Sequence, residues 1–139
     1  MKPGKTTILL ADDHAIVRRG IKALLEYEFD FEVVAEAGDG AAALHLIESH
    51  KPHILVTDLC MPGMGGIELL KAIKEKKLSI RSIVLSMCSD APYVAGAIDA
   101  GAYGFVLKES GVEHLVTAIR EAQLGRRYFS PPLSATDSG

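Results

Sequence analysis

The chain predicts an α/β fold with a parallel sheet covered on both faces. Short apolar runs alternate five times with segments of helical period. The runs are largely continuous rather than alternating, as strands buried on both faces are. Polar residues of a particular kind stand where four of them end, and in an open parallel sheet that edge is where ligands bind.

The elements follow in order. Thr7-Ile-Leu-Leu-Ala11 is the first strand and ends in Asp12-Asp13. Ile16/Val17, Ile21, Leu24 and Leu25 form the stripe of the first helix. Phe31-Glu-Val-Val-Ala-Glu36 is the second strand, and Leu44, Leu46 and Ile47 mark the second helix. The third strand, Ile54-Leu-Val-Thr57, stops at Asp58. Pro62-Gly63 and Gly65-Gly66 break the chain there and predict a mobile loop beside Asp58. Ile67, Leu70 and Ile73 line the third helix, and Ile83-Val-Leu85 is a fourth strand ending in Ser86. Asp90 reads as a cap for the fourth helix, whose stripe is Val94, Ala97 and Ile98. Pro92 is tolerated there because first-turn amides lack intrahelical partners. Gly104-Phe-Val-Leu107 is the fifth strand and ends in Lys108. Ser110-Gly-Val-Glu113 is a capping box for a last helix carrying Val112, Leu115, Val116 and Ile119. The period stops after Leu124. The expected domain is therefore residues 6–124, with 125–139 as a linker or tail of prolines and small polar residues.

Composition excludes several classes. The chain has 139 residues, 48% hydrophobic and 24% charged, as an ordered globular domain does. A net charge of −3 gives no bulk attraction to nucleic acid or to an anionic membrane. No apolar stretch approaches the roughly 20 residues that span a bilayer. The opening Met1-Lys-Pro-Gly-Lys5 has no signal-peptide pattern, and two cysteines, Cys60 and Cys88, suit a reducing compartment. A cytoplasmic location is expected.

If the runs are parallel neighbours, Asp12, Asp13, Asp58, Ser86 and Lys108 converge on one crevice. Two unit charges about 4 Å apart repel by ~4 kcal/mol at an effective dielectric of 20. A fold keeps three such carboxylates only with a cation among them. Hard oxygen donors favour Mg²⁺, and Lys108 supplies a permanent positive charge. That pairing suits phosphoryl transfer, and a carboxylate can itself accept the group as an aspartyl phosphate.

Four motifs, in order and at matching spacing, resemble the receiver domain of bacterial two-component response regulators. They are Leu10-Ala-Asp-Asp-His14, Val56-Thr-Asp-Leu-Cys-Met-Pro-Gly63, Ile83-Val-Leu-Ser86 and Gly101-Ala-Tyr-Gly-Phe-Val-Leu-Lys108. The resemblance implies a flavodoxin-like, doubly wound five-stranded sheet in the order 2-1-3-4-5. It makes Asp58 the phosphoacceptor for a sensor histidine kinase, with Mg²⁺ held by Asp13, Asp58 and the carbonyl of Cys60, and by Asp12 through a water. Lys108 and Ser86 would meet the phosphoryl group. Phe105 stands at the aromatic switch position and would alter the face made by the fourth helix, fifth strand and fifth helix. His14, Val17-Arg-Arg-Gly20, Gly38-Asp-Gly40 and Gly125-Arg-Arg-Tyr-Phe-Ser-Pro resemble the branch that regulates transcription through a C-terminal helix-turn-helix DNA-binding domain. The expectation is that this domain is missing here, and that DNA is contacted only through it. Phosphorylation-dependent homodimers are a further family expectation.

Other residues take blander readings. His14 is expected to be structural, at the start of the first helix. Arg18-Arg19 and Arg126-Arg127 read as solvated surface. Cys60 and Cys88 stand two residues after Asp58 and Ser86, positions that influence phosphoryl lifetime in the family. Sulfur cannot position an attacking water as a polar side chain can, so steric and solvent access at these residues would set that lifetime. A redox role for the two thiols is a weaker reading. The chain is expected to assist its own phosphorylation and dephosphorylation without being an enzyme. The alternatives are a Mg²⁺-dependent phosphatase or hydrolase on a similar fold, or an inert pseudo-receiver that only binds partners. A cysteine at position 60, where such hydrolases often carry a second carboxylate, counts against the first. The complete acid, serine and lysine set counts against the second.

Overall fold

The structure is a computed structural model that describes residues 4–87, 91–110 and 112–130. Its strands are β1 (Thr6–Ala11), β2 (Phe31–Ala37), β3 (Ile54–Thr57), β4 (Arg81–Ser86), β5 (Gly104–Leu107) and β6 (Tyr128–Phe129). Its helices are α1 (Ala15–Glu26), α2 (Gly40–His50), α3 (Gly66–Glu75), α4 (Ala91–Asp99) and α5 (Val112–Gln123), with a 3-10 turn at Lys108–Ser110. The strands form one parallel sheet in the order β2-β1-β3-β4-β5-β6. The expected order 2-1-3-4-5 is present.

Strand side chains alternate between the two faces. Ile8, Leu10, Ile54, Val56 and Ile83 pack with Leu25 of α1 and with Leu115 and Ile119 of α5. Leu9 and Leu55 point the other way, onto Ile47 of α2 and Leu69 and Ile73 of α3. Val84, Phe105 and Leu107 meet Val94 and Ala97 of α4 on that second face. Each fully buried Leu, Ile or Phe contributes about 1.5–3 kcal/mol. At the far end of the sheet Arg120 of α5 donates to both Asp30 oxygens, at 2.9 and 3.1 Å, and to Glu28 at 3.0 Å. Hydrogen bonding from Arg120 does most to hold the Asp30 carboxyl below its usual range.

Several details differ from the sequence reading. The sheet has a sixth strand, in the segment read as a linker. Gly125 (φ +77°) turns the chain off α5, its amide donating to the Ala122 carbonyl at 3.0 Å. The segment then runs back along β5, where the Tyr128 amide donates to Tyr103 O at 3.0 Å and the Ser130 amide to Phe105 O at 3.1 Å. Two residues are too few to show a period. The stripe on α1 also splits. Leu25 is buried, but Ile16 is 83% and Leu24 47% exposed. The sheet-facing side runs through positions 18, 21 and 25 instead, so Arg18 is not merely solvated.

Two backbone bonds anchor the ends of the loop after β3, which was expected to be mobile. The Gly66 amide donates to Leu59 O at 2.9 Å, and the Gly40 amide to Met64 O at 2.9 Å. Gly66 lies so close to the backbone of β3's exit that a Cβ would collide with the Asp58 carbonyl and reach 2.9 Å from Leu59 Cα. The Asp90 cap lies outside the described residues, as does Gly111 within the expected capping box. Asp39 caps α2, its carboxylate accepting from the Ala42 amide at 2.8 Å.

Opposite signs are expected at two glycines. Gly66→Ala should cost about 1–3 kcal/mol, because backbone must shift to admit the methyl group. Gly20→Ala, in mid-α1 with open space around it, should add up to ~1 kcal/mol through helix propensity alone. Urea denaturation of the two variants beside the wild type checks both.

Candidate functional site

The chain passes from β1 out to β2 and returns to β3 on the other side of β1. The connections leaving β1 and β3 therefore part, and open a crevice at the carboxyl edge of the sheet. Asp12 and Asp13 follow β1, Asp58 follows β3, and Lys108 follows β5. Backbone bonds extend the sheet pairing into these positions. The Asp12 amide donates to Ala37 O at 3.0 Å, and the Asp58 amide to Ala11 O at 2.9 Å.

The Lys108 ammonium donates to Asp12 Oδ2 and to Asp58 Oδ2, each at 3.1 Å. The other carboxylate oxygens are held by amides just downstream. Asp12 Oδ1 accepts from the His14 amide at 2.9 Å, and Asp58 Oδ1 from the Leu59 amide at 2.7 Å and, longer, from Cys60 at 3.5 Å. Asp12 and Asp58 are buried, while Asp13 lies at the open side. Burial pulls the Lys108 pKa down, but the hydrogen bonds and charges of Asp12 and Asp58 outweigh it and raise the pKa above the usual lysine value.

The remaining sequence-derived residues fall around this centre. His14 opens α1, and its Nδ1 lies 3.2 Å from Asp12 Oδ1 and 3.1 Å from Asp13 Oδ1. Asp12, Asp13 and His14 thus bring possible ligand atoms within 4.8 Å of one another. Ser86 is buried at the end of β4, opposite Leu107 of β5. Phe105 is fully buried among Val84, Val94, Ala97 and Leu107, with Phe129 packed alongside. Cys60 carries a free, exposed thiol, and Cys88 lies outside the described residues.

Two site neighbours escaped the sequence reading. Arg18 donates to the backbone carbonyl of Asp12, and its Nε is 3.4 Å from Glu36 Oε1. Its spacing from Ile21 and Leu25 was the available signal. The second is Ser130, fully buried, whose hydroxyl accepts from the Leu107 amide at 2.9 Å, one residue before Lys108. No pattern in the sequence announces that contact.

Residues 8–120 match the family model described as the response regulator receiver domain. The chain belongs to that family. Among curated relatives, the nitrate/nitrite response regulator protein NarP of Escherichia coli strain K12 is 40% identical over 123 residues, which are 88% of this chain. The chain spans only 57% of that relative's length. A two-component response regulator of the LuxR family from Aurantimonas sp. SI85-9A1 superposes with a TM-score of 0.91 at 38% identity, covering 96% of this chain and 95% of that one. A structure of two RcsB dimers bound to two parallel DNAs gives 0.85 at 33% identity, covering 91% of this chain and 65% of that one. Among the described residues no helix is long and apolar enough to cross a membrane.

The bridging lysine makes a stability prediction. Lys108→Gln leaves two buried carboxylates facing each other without a cation, and should cost about 2 kcal/mol at neutral pH. Because the folded-state pKa is raised, the lysine's contribution is complete below the ordinary value of 10.5 and is lost only as pH rises through the higher folded value. The gap between wild type and variant should therefore persist across neutral pH and narrow in strong alkali, as urea denaturation against pH will read.

Proposed function

We propose that this receiver domain accepts a phosphoryl group on Asp58 from the phosphohistidine of a sensor histidine kinase, or from a small phosphodonor, in the presence of Mg²⁺. The observation that carries the reading is the lysine set equally between Asp12 and Asp58 in the crevice where the strand order reverses. The donor set suits a hard dication. The carboxylates of Asp13 and Asp58 and the carbonyl of Cys60 would hold Mg²⁺ directly, with Asp12 acting through a water. When bound, Mg²⁺ supplies charge neutralisation for the phosphoryl oxygens.

The chain's own groups do the rest. An Asp58 carboxylate oxygen forms a bond to phosphorus as the bond from phosphorus to the donor breaks, its electron pair leaving with the donor. Amides of Leu59 and Cys60 hold Asp58 Oδ1, which orients the carboxylate for that attack. Lys108 follows the charge onto the new phosphoryl oxygens, and the Ser86 hydroxyl donates to one of them. Phe105 is the switch residue, and the face formed by α4, β5 and α5 is the surface that changes. Cys60 and Cys88 set the lifetime of the acyl phosphate through access of water. The domain turns over no diffusible substrate of its own, and it works in the cytoplasm. Its output is transcription regulation through a C-terminal helix-turn-helix DNA-binding domain, with phosphorylation-dependent homodimers. Similarity to a LuxR-family regulator and to DNA-bound RcsB dimers supports that part.

Intact-mass spectrometry after incubation with acetyl phosphate tests the acceptor. A single phosphoryl adduct that requires Mg²⁺ and is lost in Asp58→Asn is the expected result. An unspent phosphodonor with no adduct would leave an inert binding domain, and a consumed phosphodonor with no adduct, even with beryllofluoride failing to bind, would favour a hydrolase. The same assay followed in time reads the lifetime. Replacing Cys60 with Asn and Cys88 with Glu together should change the decay several-fold, and an unchanged half-life would remove both cysteines from that role.

A further inference from the structure

The segment after α5 is part of the site's support. β6 lies along the outer edge of β5, pairing Tyr128 with Gly104 and Phe129 with Phe105. The next residue, Ser130, has no exposed surface, and its hydroxyl accepts from the Leu107 amide at 2.9 Å across 23 residues of sequence. A buried hydroxyl in an extended tail is costly unless it is used, and this one closes the last outward-facing amide of β5. Leu107 immediately precedes Lys108, whose ammonium ties Asp12 to Asp58. Two further contacts seat the strand. The Tyr128 hydroxyl lies 2.6 Å from His114 Nδ1 on α5, and Phe129 packs on the cluster holding Phe105 and Leu107.

We propose that Ser130 is a positioning residue for Lys108, so that β6 couples the state of the acidic crevice to the chain leaving the domain. The inference rests on the phosphoacceptor reading given above. Ser130 holds the end of β5 in the arrangement in which Lys108 reaches both carboxylates. On the phosphoacceptor reading Lys108 turns to the phosphoryl oxygens from that same backbone position, so a group that recruits it favours the seated β6. By reciprocity, unseating β6 weakens the grip on that group by the same factor. Residues 128–130 are then held more tightly to β5 when the crevice is charged.

The probe is beryllofluoride with Mg²⁺, a phosphoryl mimic, titrated onto the full chain and followed by fluorine NMR. Ser130→Ala should weaken its binding about five-fold, the size of one lost neutral hydrogen bond, and Ser130→Thr, which keeps the hydroxyl, should retain wild-type affinity. Ile119→Val, a core change in α5 away from the crevice, serves as the control for lost stability and should leave the affinity unchanged. In the wild type, beryllofluoride should slow hydrogen exchange of the Tyr128 and Ser130 amides by about the same factor. Equal affinity for wild type and Ser130→Ala overturns the proposal, as does an equal loss in the Ala and Thr variants or in the Ile119→Val control. Unchanged exchange at β6 in a protein that binds beryllofluoride also overturns it while leaving the phosphoacceptor reading intact. A wild type that neither binds beryllofluoride nor forms the Asp58 adduct overturns both.

Discussion

One ammonium between two buried carboxylates is the interaction on which the remaining geometry turns. Three acids brought to one strand edge repel, and at ~4 kcal/mol per close pair that repulsion rivals a sizeable share of a domain's net stability. Lys108 offsets part of it from 96 residues away in sequence from Asp12 and 50 from Asp58. The contact forms only when β4 and β5 have already taken their places beside β3. The crevice is therefore a product of the complete sheet. Asp13 stays at the open side, where water screens it. The centre is still short of positive charge, and that deficit is what makes a dication the fitting companion.

The surrounding structure serves to keep these side chains from relaxing apart. Amides of His14 and Leu59 take one oxygen from each buried carboxylate, leaving the second oxygen to the lysine. Arg18 grips the Asp12 carbonyl from α1, and Gly66 lets α3 begin against the Asp58 carbonyl. Each of these contacts is made by the backbone or to it, so chain geometry and the Lys108 side chain together aim the two carboxylates. Such preorganisation lets charge arrive at a site without reorganising it.

Much of this was legible in the residues. Continuous apolar runs such as Ile54-Leu-Val-Thr57 identify strands buried on both faces, and the polar residue after each run marks the carboxyl edge. Hence the sequence alone places Asp12, Asp58 and Lys108 together. What escaped has physical reasons. Apolar character marked α1 but misplaced part of its buried stripe, since Ile16 and Leu24 face water while Arg18 faces the sheet. A long cationic side chain can bury its stem and still reach a carbonyl, which hydrophobic periodicity does not register. Gly63 and Gly65-Gly66 suggested looseness, whereas Gly66 is there for close approach. Composition names a glycine without saying which of its two uses applies.

The same blindness covers β6, and there the consequence is functional. Arginines, prolines and small residues after Leu124 look like spacer, yet Tyr128, Phe129 and Ser130 complete the sheet. Without them β5 would be an edge strand, with an unpaired row of amides ending at the residue before Lys108. Edge strands fray most readily, and fraying there would carry the lysine with it. Placing an ammonium 3.1 Å from two carboxylates needs the end of β5 to be firm. Covering that edge with β6 and Ser130 meets the need.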